Sequence, residues 1–313
     1  MRYVPRSQPP MIDKTLVKAR TEVTNASETP APYTESSADK DLQRANGICR
    51  IVVGVCGKGT RIMDLYQKAP IRVLFPRTGH DRALEAVIVN TSGGVAGGDQ
   101  LQANVAVSTG ASISVTTQAA EKIYRALDQS ACITTRLKVD SGAKLAWLPQ
   151  ETIVFNHARL RRCTEIEIST GSQLLALECL VLGRAAHGEK LSAGAIADSW
   201  QVKKNGRLEW ADTFRLTDEV FPHVSRKALL WDSSAIATLL YFGPDLEERL
   251  QLIRAQSVSF DCHWGATLVG GVLVARFAAR SSFGLRGTLR TLLEELGDEL
   301  GPGPFRVPKM WSC

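Results

Sequence analysis

The amino-acid sequence predicts a mainly β protein built from stacked β-hairpin units, with two α-helices near the C-terminus. Three observations predict it. Apolar residues alternate with polar ones at period two rather than 3.6 through most of the chain. A strand–turn–strand text recurs. Helical stripes occur only late.

The alternation begins at Ile51, Val53 and Val55, followed by a Gly57-Lys58-Gly59 turn and a second run from Arg61 to Tyr66, the signature of a hairpin. Pro70 breaks the chain before Ile71, Val73 and Phe75, and Leu84 to Val89 is a short continuous apolar run suited to a buried strand. Leu101–Val107 and Ile133–Val139 alternate again. Val107-Ser-Thr-Gly-Ala-Ser-Ile113 is repeated in Val139-Asp-Ser-Gly-Ala-Lys-Leu145 and Ile168-Ser-Thr-Gly-Ser-Gln-Leu174, and more loosely in Val202-Lys-Lys-Asn-Gly-Arg-Leu208. The turn glycines at 110, 142, 171 and 206 recur about every 30 residues, the period of stacked β units. A lone hairpin cannot bury its apolar face, so neighbours must stack. Four ordinary hairpins in a sandwich are the alternative.

Helices are expected over Asp245–Ala255, after Pro244, and over Ser282–Leu300. The second carries a stripe of Leu285, Leu289, Leu292, Leu296 and Leu300, with Ser281 or Ser282 as its cap and Gly301 at its end. Val258–Phe260 and Val272–Phe277 read as strands between them. Residues 1–46 carry five prolines, many Ser, Thr and Glu, and few large apolar side chains. Such text cannot offset its ordering entropy, so it is expected to be a disordered extension. Residues 47–313 are expected to form one domain, since no linker divides them.

Composition narrows the function classes. With 44% hydrophobic and 22% charged residues, the balance is that of an ordinary globular chain. No apolar run reaches the ~18 residues of a membrane helix, and the N-terminal text does not read as a secretory signal. The net charge of +6 is spread along the chain apart from Arg159, Arg161 and Arg162, which read as a solvated face; no nucleic-acid motif accompanies them. Seven cysteines form no CxxC pair, which points to reduced thiols and a cytoplasmic setting.

Asn90-Thr-Ser-Gly-Gly-Val-Ala-Gly-Gly-Asp99 concentrates four glycines in six residues, which demands unusual backbone angles or close approach. No Lys follows them and no helix pattern comes after, so phosphate cradling is not expected. The plain reading is a tight inter-strand loop with Asp99 capping a turn. The five histidines are scattered, no zinc spacing occurs, and no GxSxG elbow supports nucleophilic catalysis. What remains is a set of acids in apolar or neutral text: Asp99, Glu121, Glu151 and Glu178. Glu178, inside Leu174–Leu182, needs a partner or water if ionised.

Several of these segments together resemble the urease accessory protein UreD (UreH) family. The glycine loop 90–99 looks like that family's signature. Thr117-Gln-Ala-Ala-Glu-Lys-Ile-Tyr-Arg125, Trp147-Leu-Pro-Gln-Glu-Thr-Ile-Val-Phe155 and Leu182-Gly-Arg-Ala-Ala-His-Gly-Glu189 are similar to its next three motifs. Ala69–Pro76 fits upstream, and Pro308-Lys-Met-Trp311 resembles its closing Pro-Arg-x-Trp with Lys309 for Arg. Asn156-His157 departs from an Asp followed by a small residue.

The resemblance implies a β-helix-like scaffold that is not an enzyme and holds no tightly bound cofactor. It implies binding to UreF, which recruits the nickel GTPase UreG, and contact with apo-urease, with nickel passing transiently through UreF and UreD to the urease site. On motif position and oxygen chemistry, Thr91, Ser92, Asp99, Glu121, Glu151 and Glu178 are the candidate passage-lining groups. Carboxylates and hydroxyls suit weak, hydrated binding that lets an ion enter and leave. The rival expectation is a purely structural adaptor in the same complex with no nickel contact.

Overall fold

A computed structural model describes residues 43–312 apart from 58, 78–82, 185, 186, 190, 257–261 and 302. Most of the proposed extension and the expected strand at Val258–Phe260 therefore lie outside the described residues. The described end of that segment is tied into the fold: the Ala45 amide donates to Asp99 Oδ1 at 2.8 Å, and Asn46 opens the first strand.

The strands run β1 (Asn46–Cys56), β2 (Gly59–Lys68), β3 (Ile71–Leu74), β4 (Leu84–Asn90), β5 (Gln100–Val107), β6 (Ser112–Thr117), β7 (Glu121–Ile123), β8 (Ala131–Val139), β9 (Lys144–Trp147), β10 (Thr152–Val154), β11 (Arg159–Ile168), β12 (Gln173–Leu182), β13 (Ala195–Lys204), β14 (Arg207–Leu216) and β15 (Ala235–Phe242). Helix α1 (Leu246–Gln256), the hairpin β16 (His263–Val269) and β17 (Val272–Ala279), and helix α2 (Ser282–Glu299) follow. A seven-stranded sheet has the order β14-β13-β11-β8-β5-β1-β2. A ten-stranded sheet has the order β16-β17-β15-β12-β9-β6-β4-β3, with β10 paired to β12 and β7 paired to β10 off this path. The result is a β-solenoid of about four turns with two helices near its C-terminal end.

The stacking is as expected, but the unit is built differently. The turn at Gly110 does not pair β5 with β6. It carries the chain from one sheet to the other, and each strand pairs in parallel with its counterpart one coil on: β5 with β8, β6 with β9. Gly142 and Gly171 do the same for β8–β9 and β11–β12. All three glycines hold positive φ (72°, 68° and 80°), and the turns stack, Gly142 N donating to the Gly171 carbonyl at 3.2 Å. Only the fourth copy is a true hairpin. Asn205 and Gly206 both hold positive φ, and β13 pairs antiparallel with β14. Period two marks alternate faces for a hairpin and for a sheet-to-sheet arch alike, so it cannot distinguish them.

The arches fold the inward face of each strand onto that of the next. Val105, Leu137, Ile166 and Val202 of the first sheet meet Ile113, Leu145 and Leu174 of the second in one buried core. The second sheet's far face packs on the helices, burying Leu175, Leu177 and Tyr241 against Leu250, Leu289 and Leu296. Strand β12 is thus buried on both faces, which explains its unbroken apolar text. Helix α2 starts where expected, with Ser281 Oγ accepting from the Gly284 amide, and buries Leu285, Leu289, Leu292, Leu293 and Leu296. Each such leucine contributes ~1.5–3 kcal/mol on burial, so truncating Leu292 to Ala is expected to cost ~2–5 kcal/mol.

Candidate functional site

The segments that return the chain from the second sheet to the first lie along one edge of the solenoid, and the motifs singled out in the sequence fall in them. They stack coil on coil: Val95 bridges Ile123, β7 pairs in parallel with β10, and β10 with the end of β12. The glycine loop is explained by this stacking. Gly93 and Gly98 hold positive φ (75° and 88°). A Cβ on Gly94 would stand 2.5 Å from the Tyr124 ring, and one on Gly97 would stand 2.5 Å from the Gln129 carbonyl oxygen. Tyr124 donates to the Gly93 carbonyl at 2.9 Å and packs edge-on to Phe155 at 5.3 Å. Arg184 lies over the Phe155 ring at 4.3 Å while its guanidinium forks to Glu189 at 3.0 and 3.1 Å. The C-terminal motif joins the same edge: Trp311 Nε1 donates to the Leu148 carbonyl at 3.0 Å.

The six candidate residues separate within this frame. Thr91 and Ser92 are exposed. Thr91 Oγ1 donates to the Pro70 carbonyl at 2.8 Å, and Ser92 Oγ lies 2.6 Å from Asn90 Oδ1. Asp99 caps its turn, accepting from the Ala96 and Ala45 amides at 2.8 Å each. Glu151 is held by Arg286 of α2 at 2.8 Å. Glu121 and Glu178 are the two that the fold brings together. They line one interior cavity of about 90 Å³, along with Ala103, Thr117, Thr135 and Thr152. That is room for a few waters. Burial pushes the Glu121 carboxyl above its usual range, opposed by the Asn90 amide, which lies 3.1 Å from both its oxygens.

Glu178 sits at the inner end, only 4% exposed. Its Oε1 accepts from Trp147 Nε1 and Thr164 Oγ1, each at 3.1 Å. Its partner is Arg162, 6% exposed, whose Nε lies 2.9 Å from Glu178 Oε2. The guanidinium is directed mainly elsewhere. Nε donates to Asp198 Oδ1 at 2.8 Å, Nη2 to Asp198 Oδ2 at 2.7 Å, and Nη1 to Thr152 Oγ1 at 3.1 Å. Glu178 Oε2 is therefore buried beside a charge but accepts no hydrogen bond. Burial raises the affinity of Glu178 for a proton, Arg162 opposes this, and Asp198 reinforces it. Burial works against the charge of Arg162 too, but Asp198 and Glu178 outweigh it, so the guanidinium stays ionised.

Arg162 and Asp198 are absent from the candidate set, and the structure corrects the reading of the Arg159–Arg162 cluster as a solvated face. Arg161 is exposed, but Arg162 falls in phase with the buried Leu160, Thr164 and Ile166. Asp198 shares the phase of Ile196, Trp200 and Val202. A charge on the apolar phase of a strand was the available signal. Beyond the pair lies a second, smaller cavity of about 20 Å³ lined by Asp198, Trp200, Asp212 and Thr238, with Arg162 and Glu178 again in its wall. Among the described residues, no three His, Cys, Asp or Glu side chains stand close enough together to hold a metal ion. No described helix is long and apolar enough to cross a membrane.

The chain matches the family model described as UreD urease accessory protein over residues 45–312. It is 42% identical over 249 residues to the urease accessory protein UreD of Xanthobacter autotrophicus, covering 79% of this chain and 86% of the relative. It is 38% identical to that of Rhizobium etli (86% and 96% covered), and 40% identical to urease accessory protein UreD 1 of Methylobacterium radiotolerans (90% and 98% covered). With the solenoid, the stacked motif edge and these matches in agreement, the chain belongs to the UreD urease accessory protein family.

Proposed function

We propose that, within urease maturation, this chain is a non-catalytic scaffold that binds apo-urease and UreF, with UreG recruited through UreF, and passes nickel through its interior. The observation that carries the reading is the cavity shared by Glu121 and Glu178. Two carboxylates and several hydroxyls on a partly open, otherwise largely apolar space, without a closed ligand cage, suit an ion in transit. Thr91, Ser92, Asp99 and Glu151 stand around this space as support: they fix the loops that hold Asn90, Glu121 and Thr152 in place. Partner docking is supported by apolar side chains left on the surface, with Ile62, Met63 and Tyr66 of the edge strand β2 between 38% and 54% exposed.

The adaptor reading, with no nickel contact, is favoured by one observation: Glu178, Arg162 and Asp198 already form a buried ion cluster that fastens one sheet to the other. Co-expression with tagged UreF and apo-urease separates the two. Glu178→Leu leaves Arg162 paired with Asp198, so the fold is expected to survive. Routing predicts intact co-purification with loss of urease activation. Intact activation by an assembled Glu178→Leu complex would leave only the adaptor.

A further inference from the structure

The two interior cavities have just two wall residues in common, Arg162 and Glu178. Their charged ends are the partition. The two sides of the partition are held differently. Glu178 is fixed to the scaffold through Oε1 by Trp147 and Thr164. Arg162 is clamped through three nitrogens by Asp198 and Thr152. Only the 2.9 Å approach between Nε and Oε2 joins them, and no hydrogen bond runs along it. A dication that reached the 90 Å³ cavity would find Glu178 Oε2 with its lone pairs unused, but a guanidinium charge beside it.

We propose that Arg162 is the charge barrier of the passage: clamped by Asp198 and Thr152, it closes the partition and must be displaced when a divalent cation takes Glu178 Oε2. This rests on the nickel-routing reading. Room for the displacement exists on the Thr152 side, where the first cavity lies. Asp198 is the latch. It neutralises the guanidinium in the closed state and, with Asp212 in the wall of the second cavity, offers the next oxygens beyond the partition. Asp212 is itself paired with Arg276 at 2.6 Å, while Glu178 and Asp198 share Arg162. Beyond the partition the acids are held by arginines, which weakens their grip on an ion in transit, as a conduit requires.

The test uses the chain co-expressed with its accessory partners and apo-urease. Nickel dependence of urease activation is measured, along with the zinc content of the urease formed when zinc competes. Arg162→Met with Asp198→Asn removes one charge of each sign and leaves Glu178 in place. A barrier predicts two shifts in the complex that this pair forms. The nickel needed for half-maximal activation falls by about tenfold, a modest part of what a guanidinium exerts on a dication a few ångströms away even at an effective dielectric of ~20. Zinc in urease rises several-fold. Should the pair fail to assemble, Asp198→Asn alone removes the latch while leaving Arg162 and Glu178 charge-balanced, and predicts the same shifts, smaller. Unchanged nickel dependence and zinc content in whichever assembled variant is measured overturns the barrier, as does a loss of activation. Glu178→Leu separates the two ideas. If it abolishes activation while the Arg162 variants change nothing, routing stands and the barrier falls; if it too changes nothing, routing is wrong.

Discussion

Thr164 and Glu178 stand seven residues either side of Gly171 and share a hydrogen bond of 3.1 Å across the solenoid interior. The arch turn makes them opposite one another. The same offset from Gly142 pairs Thr135 with Pro149, and from Gly110 pairs Ala103 with Thr117. Ala103, Thr117, Thr135, Pro149 and Glu178 all line the larger cavity. Two residues nearer the turns, the same strands carry Val105, Leu137 and Ile166, and the interior is filled. The cavity is thus one layer of the stack in which the inward side chains are small or polar in three successive coils.

Arg162→Met is expected to destabilise the isolated chain by ~3–5 kcal/mol, because two buried carboxylates lose their cation. Adding Asp198→Asn and Glu178→Gln is expected to recover most of that loss, since a neutral cluster carries no unpaired charge. Urea denaturation of the single and triple variants checks it. A triple variant as unstable as the single would show that the side chain's packing, not its charge, matters here.

Ala103→Leu probes the cavity layer directly. Its three added carbons enter a space of about 90 Å³, so stability is expected to change by less than ~1.5 kcal/mol, whereas overpacking a filled layer costs ~1–3 kcal/mol. In the co-expressed complex the filled cavity is expected to block urease activation with co-purification intact. Normal activation would mean that nickel does not use this layer.

Much of this was legible in the sequence. Period-two alternation placed most of the strands, the leucine stripe placed α2, and the recurring turn glycines gave the stacking interval. Glu178 stood out as an acid in apolar text. The arches were not legible, because alternation is blind to whether the next strand lies beside or across. The turn-capping reading of Asp99 has its local partner in the Ala96 amide three residues away, but Glu151 could not be told from Glu121 and Glu178, since its partner Arg286 lies 135 residues away. Arg162 was legible in principle. Its phase with Leu160 and Thr164 set it apart from Arg161, but a cluster of three arginines masks the phase of any one.

Thiol labelling offers a check on the interior that needs no partner. Burial pushes the Cys49 thiol up to about 12 and raises that of Cys179 as well, whereas Cys56 is exposed at the end of β1. At mildly alkaline pH, iodoacetamide is expected to modify Cys56 rapidly and to reach Cys49 and Cys179 only in denaturant, as read by peptide mass spectrometry. Cys49 also lines the larger cavity. Its labelling in the folded chain would show that the cavity opens to molecules much larger than water.

The helical side of the molecule carries an acid-sensitive link. Asp245, just before α1, accepts from the Tyr241 hydroxyl at 2.6 Å and from Arg249 Nε at 2.6 Å. Burial alone would raise its carboxyl, but Tyr241 and Arg249 outweigh it and hold the group below its usual range. The unfolded chain therefore takes up this proton more readily than the folded one. The stabilisation is present above the ordinary aspartate value of ~3.9 and is lost as pH falls through it towards the folded value. Asp245→Asn is expected to cost ~1.5–3 kcal/mol at neutral pH, the worth of hydrogen bonds to a charged group. The gap from wild type should close on acidification. Urea midpoints of the two proteins, followed from pH 7 downward, should converge; parallel curves would mean that the Asp245 link contributes through shape alone.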